Sequence, residues 1–327
     1  MPFKKKRCLA HVVASNHSDM APHAFQKRIA HTAICGNPIG NRCKKILKRQ
    51  WHRMKKSPNP LVSVVIPTYK REKVLQRTLQ SVVDQTYSPL EIIIVDDSPQ
   101  KKSDDFFTTY KKENIANINY IHRPQKAGAT TARNRGIIVA KGKYIATLDD
   151  DDLWAPEKIE KQVQVLEHRQ FKHINICVTW INDLRFGYKR INKTPEVIDH
   201  QYVIRAFNVQ STSAYLFRAA ALKQAKGFDE TLASAHEYDL AIRLSKDAPI
   251  ISICEPLVTQ METAGQISED WKRKIQGMLG IFRKHHPEYT VKEYGKFLGI
   301  IGLYLSAYVC GNKIHKMIIP MKERMME

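Results

Sequence analysis

Two nucleotide-binding signatures are missing from this chain. No GxGxxG follows its first apolar run, which ends in Pro67-Thr68-Tyr69, and no GxxxxGK[ST] occurs anywhere. Rossmann dehydrogenases and P-loop enzymes are disfavoured on both counts. Cysteine is sparse and scattered: Cys8, Cys35, Cys43, Cys177, Cys254 and Cys310 form no CxxC pair. A disulfide framework is not expected, and a reducing cytoplasm fits. Cys35 and Cys43 lie near His11, His17, His23 and His31, but their spacing matches no common zinc module. No stretch reaches the roughly 18–20 apolar residues that span a bilayer. Behind Lys4 to Arg7 only a short, broken apolar stretch precedes Ser15 and Asn16, so no signal peptide is read.

Acidic residues are nearly absent from the first 60 positions, which hold fourteen Lys or Arg against the single acid Asp19. Over all 327 residues the formal charge is +21, while 43% hydrophobic and 26% charged residues are ordinary for a globular chain. The basic extension suits an anionic surface (acidic lipid, phosphorylated glycan or nucleic acid) or is a solvated leader. The longest apolar run, Phe297 to Cys310, is followed by Lys313, Lys316, Lys322 and Arg324. It reads as a buried helix or as an interfacial one with a basic flank.

Between these ends the pattern alternates. Ser57-Pro58-Asn59-Pro60 reads as a linker. Val62 to Pro67 is a buried strand bounded by prolines. Lys73 to Gln85 places Val74, Leu75, Leu79, Val82 and Val83 at helical spacing. Glu91 to Val95 is a second buried strand running into Asp96-Asp97, and Ile118 to Ile121 is a short third. Ala127 to Ala140 reads as a helix. Tyr144 to Leu148 is a fourth strand that ends in the carboxylates Asp149 to Asp152, and Pro156 opens a helix reaching about His168. Strands alternating with helices imply an α/β layer with a mostly parallel sheet, and such sheets place ligands at the carboxyl ends of their strands.

Four consecutive carboxylates repel one another unless solvated or neutralised. A hard divalent cation with oxygen ligands would neutralise them, since Mg²⁺ commonly uses one or two carboxylates plus substrate phosphates. An acidic loop, or Asp152 capping the helix that follows, is the plainer alternative.

The run has company. Val62 to Arg71 (VSVVIPTYKR), Ser81 to Gln85, Glu91 to Ser98 (EIIIVDDS), Gly128 to Gly136 with Ala132-Arg133-Asn134, Tyr144 to Trp154 (YIATLDDDDLW), Gly227 to Glu230 (GFDE) and Glu237 to Leu240 (EYDL) with Arg243-Leu244 stand in order. Together they resemble the motifs of family 2 glycosyltransferases, whose nucleotide-binding half has the GT-A fold. The resemblance spans about residues 61–245. It implies an α/β fold with a GT-A type, mostly parallel sheet flanked by helices, a basic N-terminal extension (1–60) and a helical C-terminal region (256–327). The transferase domain would occupy 61–255, with a nucleotide-sugar half to 155 and an acceptor half from 156.

By the same resemblance Thr68 and Asp97 hold the uracil and its surroundings, Arg133 supplies a cation near the nucleotide, Asp149 or Asp150 contacts ribose, and Asp151 binds the metal, Mg²⁺ or Mn²⁺. Inverting transfer needs a base for the acceptor hydroxyl. The family generally places Asp two residues before the Asp-Leu pair, and here that position is Glu237, a departure. Glu237 is either the base or the partner of an arginine such as Arg243. Asp239 is expected to cap or orient the helix there. The QxxRW motif of processive members is absent, which favours addition of a single sugar.

The implied activity is transfer of a hexose, glucose in the nearest group, from a UDP-sugar to lipopolysaccharide core or another bacterial surface glycan. The implied place is the cytoplasmic face of an anionic membrane. Two other classes compete. A nucleic-acid-binding protein would explain the basic extension, but acid-lined strand ends repel phosphate and no such module is present. A nucleotidyltransferase would carry a glycine-rich loop after the first strand, where Pro67 to Arg71 has no glycine.

Overall fold

The computed structural model describes residues 58–310 except 103–104, 109, 111–114, 125–126, 186–188, 208 and 262–269, together with Met321. Residues 1–57 of the basic extension, with its cysteines and histidines, and Lys313, Lys316, Lys322 and Arg324 lie outside the described residues.

Val62–Thr68 (β1), Leu90–Asp96 (β2), Ile115–His122 (β3) and Tyr144–Thr147 (β4) pair in parallel in the order β3-β2-β1-β4. Val65 sits opposite Ile93 on one side and Thr147 on the other. Every residue of β1 and β2 is buried, as strands covered on both faces require. The period of two then sorts their side chains. Val64, Ile66, Ile92 and Ile94 pack with Leu75, Leu79 and Val82 of helix Glu72–Val83 (α1), while Val65, Ile93 and Val95 pack with Ala132 and Ile137 of Ala129–Val139 (α2). Helix α2 lies so close to β1 that a Cβ on Gly136 would collide with the Val65 side chain.

The sheet continues through Asp152–Trp154 (β5), Ile176–Asp183 (β6), Arg190–Asn192 (β7), Val197–Ile198 (β8), Leu216–Arg218 (β9) and Ile250–Gln260 (β10). Its path runs β4-β9-β6-β10-β5, with β7 on β6 and β8 on β10. The long ladders are parallel and the short ones antiparallel. Around it lie Lys158–Glu167 (α3), His200–Ala206 (α4), Ala219–Gln224 (α5), His236–Ser245 (α6), Trp271–His285 (α7) and Val291–Cys310 (α8). The expected α/β sheet flanked by helices, with helices at the C-terminal end, is what the chain adopts.

Three details differ from the sequence expectation. Strand β3 runs from Ile115 to His122: on the sheet edge Ala116 and Asn117 are exposed, and Asn117 and the half-buried Asn119 interrupt the apolar run. Asp152 opens β5, antiparallel to Gln260 of β10, and caps nothing. Helix α3 starts at Lys158 behind Glu157, with no side-chain cap. Finally, α8 is neither wholly buried nor wholly interfacial. Phe297, Ile300, Tyr304 and Ala307 face the core, while Leu298, Leu305 and Val309 on the opposite face are exposed. Among the described residues no helix is long and apolar enough to cross a membrane.

Candidate active site

The carboxyl ends of β1, β2 and β4 bring the sequence-predicted residues to one edge of the sheet. Thr68 closes β1 and donates from Oγ1 to Asp150 Oδ2 at 2.7 Å. Asp96 closes β2 and serves the loop beyond it. It accepts from Ser98 N at 2.9 Å, Lys102 Nζ at 2.8 Å and Tyr120 Oη at 2.9 Å. Burial works against its charge, but these donors outweigh burial and hold the carboxyl below its usual range.

Asp97, one residue on, points elsewhere. Its Oδ2 accepts from Ala127 N at 3.0 Å and Gly128 N at 3.2 Å, just before α2. Its Oδ1 is buried without a hydrogen-bond donor, and Arg123 Nε stands 3.8 Å away. A buried carboxylate oxygen left in that state is costly unless a donor arrives. A cavity of about 600 Å³, lined by Lys70, Glu72, Ser98, Pro99, Lys101 and Phe106, opens at the same strand ends. That size suits a small molecule.

The four aspartates after β4 have separate surroundings. Asp149 pairs with Arg133 Nη2, and its backbone N donates to Ser213 Oγ at 3.1 Å. Burial opposes the Arg133 charge, but Asp149, then Glu237 and Asp150, more than restore it, so Arg133 stays protonated. Asp150 is buried, and burial pushes its carboxyl up to about 6 despite the Thr68 hydrogen bond. Asp151 accepts from Arg71 Nη1 at 2.8 Å, and the same nitrogen is 3.3 Å from Asp150 Oδ1. Asp152 is buried on β5. Its Oδ2 accepts from Ser213 Oγ at 2.5 Å and Gln260 Nε2 at 3.3 Å, and burial with Asp149 and Asp151 nearby pushes its pKa far up.

Glu237 lies half-buried in the first turn of α6, near enough to Arg133 to support its charge. The notional partner Arg243 is engaged elsewhere. It binds Asp239 Oδ2 at 2.8 Å and the carbonyls of Ala225 and Gly227. Asp239 sits within α6 rather than at its cap and also accepts from His285 and Lys284 of α7, each at 2.8 Å. It therefore orients α6 against α7.

Arg133, Asp149, Asp150, Thr68 and Glu237 are thus gathered, with Asp97 on the neighbouring strand end. The sequence alone points to no role for Arg71, Ser213, Gln260 or Asn134. Arg71 and Asn134 lie inside the family motifs. Ser213 and Gln260 gave no local signal, because they reach Asp152 only through the folded sheet.

A family model described as "Glycosyl transferase family 2" matches residues 63–225, the stretch that carries this edge. The chain belongs to glycosyl transferase family 2. It is 29% identical to the Escherichia coli K12 protein WcaA, named as a colanic acid biosynthesis glycosyl transferase, over 73% of this chain and 87% of that protein. It is 31% identical to the E. coli UDP-Glc:alpha-D-GlcNAc-diphosphoundecaprenol beta-1,3-glucosyltransferase WfaP, over 48% of this chain and 61% of that protein. Among solved structures, a Pyrobaculum calidifontis mannosyltransferase in complex with GDP-Man and Mn²⁺ superposes with a TM-score of 0.56 at 16% identity, covering 81% of this chain and 83% of the other. At that identity the likeness shows the fold alone.

Glycosyltransferases of this fold usually use a divalent cation, and the aspartates here fit one. Asp150 Oδ1 and Asp151 Oδ2 already address a single cationic nitrogen, that of Arg71. Among the described residues no three His, Cys, Asp or Glu side chains are gathered as a cage.

Proposed function

We propose that this family 2 glycosyltransferase moves a hexose, glucose, from a UDP-sugar to lipopolysaccharide core or another bacterial surface glycan, with inversion and one sugar at a time. The observation that carries the donor reading is the Asp97 carboxylate, whose buried Oδ1 lacks a donor at the strand ends where the aspartate run also stands. The uracil N3–H is such a donor. The UDP-Glc in the name of WfaP favours glucose and uridine together.

In this reading residues 61–155 bind the nucleotide sugar and 156–255 the acceptor. Thr68 and Asp97 orient the uridine, Asp149 or Asp150 the ribose, and Arg133 sets a positive charge beside the diphosphate. Asp151, with Asp150 beside it, would hold Mg²⁺ or Mn²⁺, which as a Lewis acid supplies neutralisation of the leaving diphosphate. Glu237 accepts the acceptor hydroxyl proton as that oxygen bonds to the anomeric carbon and the carbon–oxygen bond to UDP breaks.

The place is the cytoplasmic face of an anionic membrane. The exposed Leu298, Leu305 and Val309 on α8 and the basic sequence after Cys310 support it. Co-sedimentation with phosphatidylglycerol vesicles that weakens with salt checks that part.

The deciding experiment is a donor screen that follows UDP release with and without Mg²⁺ or Mn²⁺, with the product anomer read by NMR. Metal-dependent UDP release and an inverted anomer are expected. No turnover of any UDP-sugar, or retention, would overturn the reading.

A further inference from the structure

Arg71 was given no role by the sequence, yet it reaches the centre of the aspartate run. The turn that aims it is unusual. Lys70, a non-glycine residue, has φ 55°, and its backbone N donates to Ser98 Oγ at 2.7 Å. Left-handed backbone at such a residue is uncommon and persists where the surroundings fix it. Arg71 then sits at the N-cap of α1 without a side-chain cap bond. Its Nη1 instead lies 2.8 Å from Asp151 Oδ2 and 3.3 Å from Asp150 Oδ1.

We propose that Arg71 is the resident counter-cation of the Asp150–Asp151 site and yields it to a divalent cation only when a nucleoside diphosphate arrives. Charge and room both support this. A divalent ion shared by those two oxygens would stand within a few ångströms of the guanidinium, and like charges at that range repel strongly. One of the two must leave. The Arg71 side chain is 25% exposed, so it can swing outward, whereas the carboxylates are 10% and 12% exposed and Asp150 is tied back by Thr68. A diphosphate offers the displaced guanidinium a new partner, because its planar fork matches phosphate oxygens. Cation and nucleotide therefore bind with positive coupling: each removes an obstacle to the other. The cation alone meets a site already neutralised.

The inference rests on the donor reading above, and the test separates the two. Mn²⁺ binding to the full chain is titrated by electron paramagnetic resonance with and without UDP, and UDP binding by calorimetry in saturating Mn²⁺. Arg71→Gln is expected to bind Mn²⁺ alone about tenfold tighter than wild type and UDP about tenfold more weakly. These are the orders set by one charge-assisted hydrogen bond. Arg71→Lys, which keeps a cation on a flexible stem, is expected to hold Mn²⁺ alone as weakly as wild type, and it carries the comparison if the Gln variant does not fold. Unchanged or weaker Mn²⁺ binding by Arg71→Gln, with wild type binding both ligands, overturns this inference alone; for the Lys variant, tighter binding than wild type does so. A wild-type protein that binds neither Mn²⁺ nor UDP overturns the donor reading and this inference with it.

Discussion

Asn134 grips both ends of the Phe228 residue: its Oδ1 accepts from Phe228 N at 2.9 Å, and its Nδ2 donates to Phe228 O at 2.8 Å. The same amide nitrogen reaches Glu230 Oε1 at 2.7 Å. Through this one side chain the helix that carries Arg133 holds the Gly227–Glu230 loop, whose Gly227 has φ 67° and leaves no room for a Cβ beside Asn134. Asn134→Ala is expected to cost about 2 kcal/mol, the loss of two partly buried hydrogen bonds and one exposed one. Asn134→Asp, although the same shape, is expected to cost more, since it loses the donor and places a second carboxylate against Glu230. Urea midpoints decide it, and a wild-type midpoint for the Asp variant would remove the clamp.

Asp97 carries the second prediction. In Asp97→Asn the amide oxygen can keep the Ala127 and Gly128 N–H groups, which turns the NH₂ toward the side where Oδ1 now lacks a donor. A uracil N3–H would then meet a donor, and roughly a tenfold to hundredfold loss of UDP affinity is expected. Cytosine presents an acceptor at N3, so the preference for UDP over CDP should narrow. Calorimetry with both nucleotides checks this, and an unchanged preference would place the base elsewhere.

Lys158 carries a pH prediction. It is fully buried, with Nζ 2.8 Å from Gln162 Oε1 and 4.1 Å from the Trp154 ring centroid. Burial lowers its pKa from 10.5 to about 7. Between those values the unfolded chain holds the proton and the folded chain has released it, so rising pH favours folding. The burial penalty is therefore full at pH 7 and fades toward pH 10.5. Wild type is expected to gain up to about 1.4 kcal/mol per pH unit relative to Lys158→Met across that window. Urea unfolding at several pH values measures the difference, and parallel curves would refute it.

The parts of this enzyme that were legible in its sequence are those written locally. The apolar runs of β1, β2 and β4 announce strands buried on both faces, and the acids behind them mark the functional edge. Pairings set by the sheet were not legible. Asp152 looked like one member of an acidic loop, because Ser213 and Gln260, which hold it on β5, are 61 and 108 residues away. For Asp239 the sequence leaves capping and orienting the helix both open, because its partner His285 stands on a helix 46 residues later. Arg71 looked like a basic residue after a strand. Only the left-handed Lys70 turn aims it at Asp151.

That hidden support bears on the base. Asp239 is locked by Arg243, Lys284 and His285. The first turn of α6 should therefore survive Glu237→Gln, with the amide occupying the same half-buried position. Gln accepts no proton at neutral pH, so an acceptor hydroxyl attacking the anomeric carbon would lose its base while the donor site stayed whole. The expected result is a fall in turnover of roughly 10²–10⁴-fold, with UDP affinity in Mn²⁺ unchanged. Asp151→Ala is expected to give the converse, losing metal-dependent UDP binding itself. Steady-state kinetics beside calorimetry separate the two patterns. If Glu237→Gln turned over at the wild-type rate, the proton would be leaving by another group, and the extra methylene at this position would have no part in the chemistry.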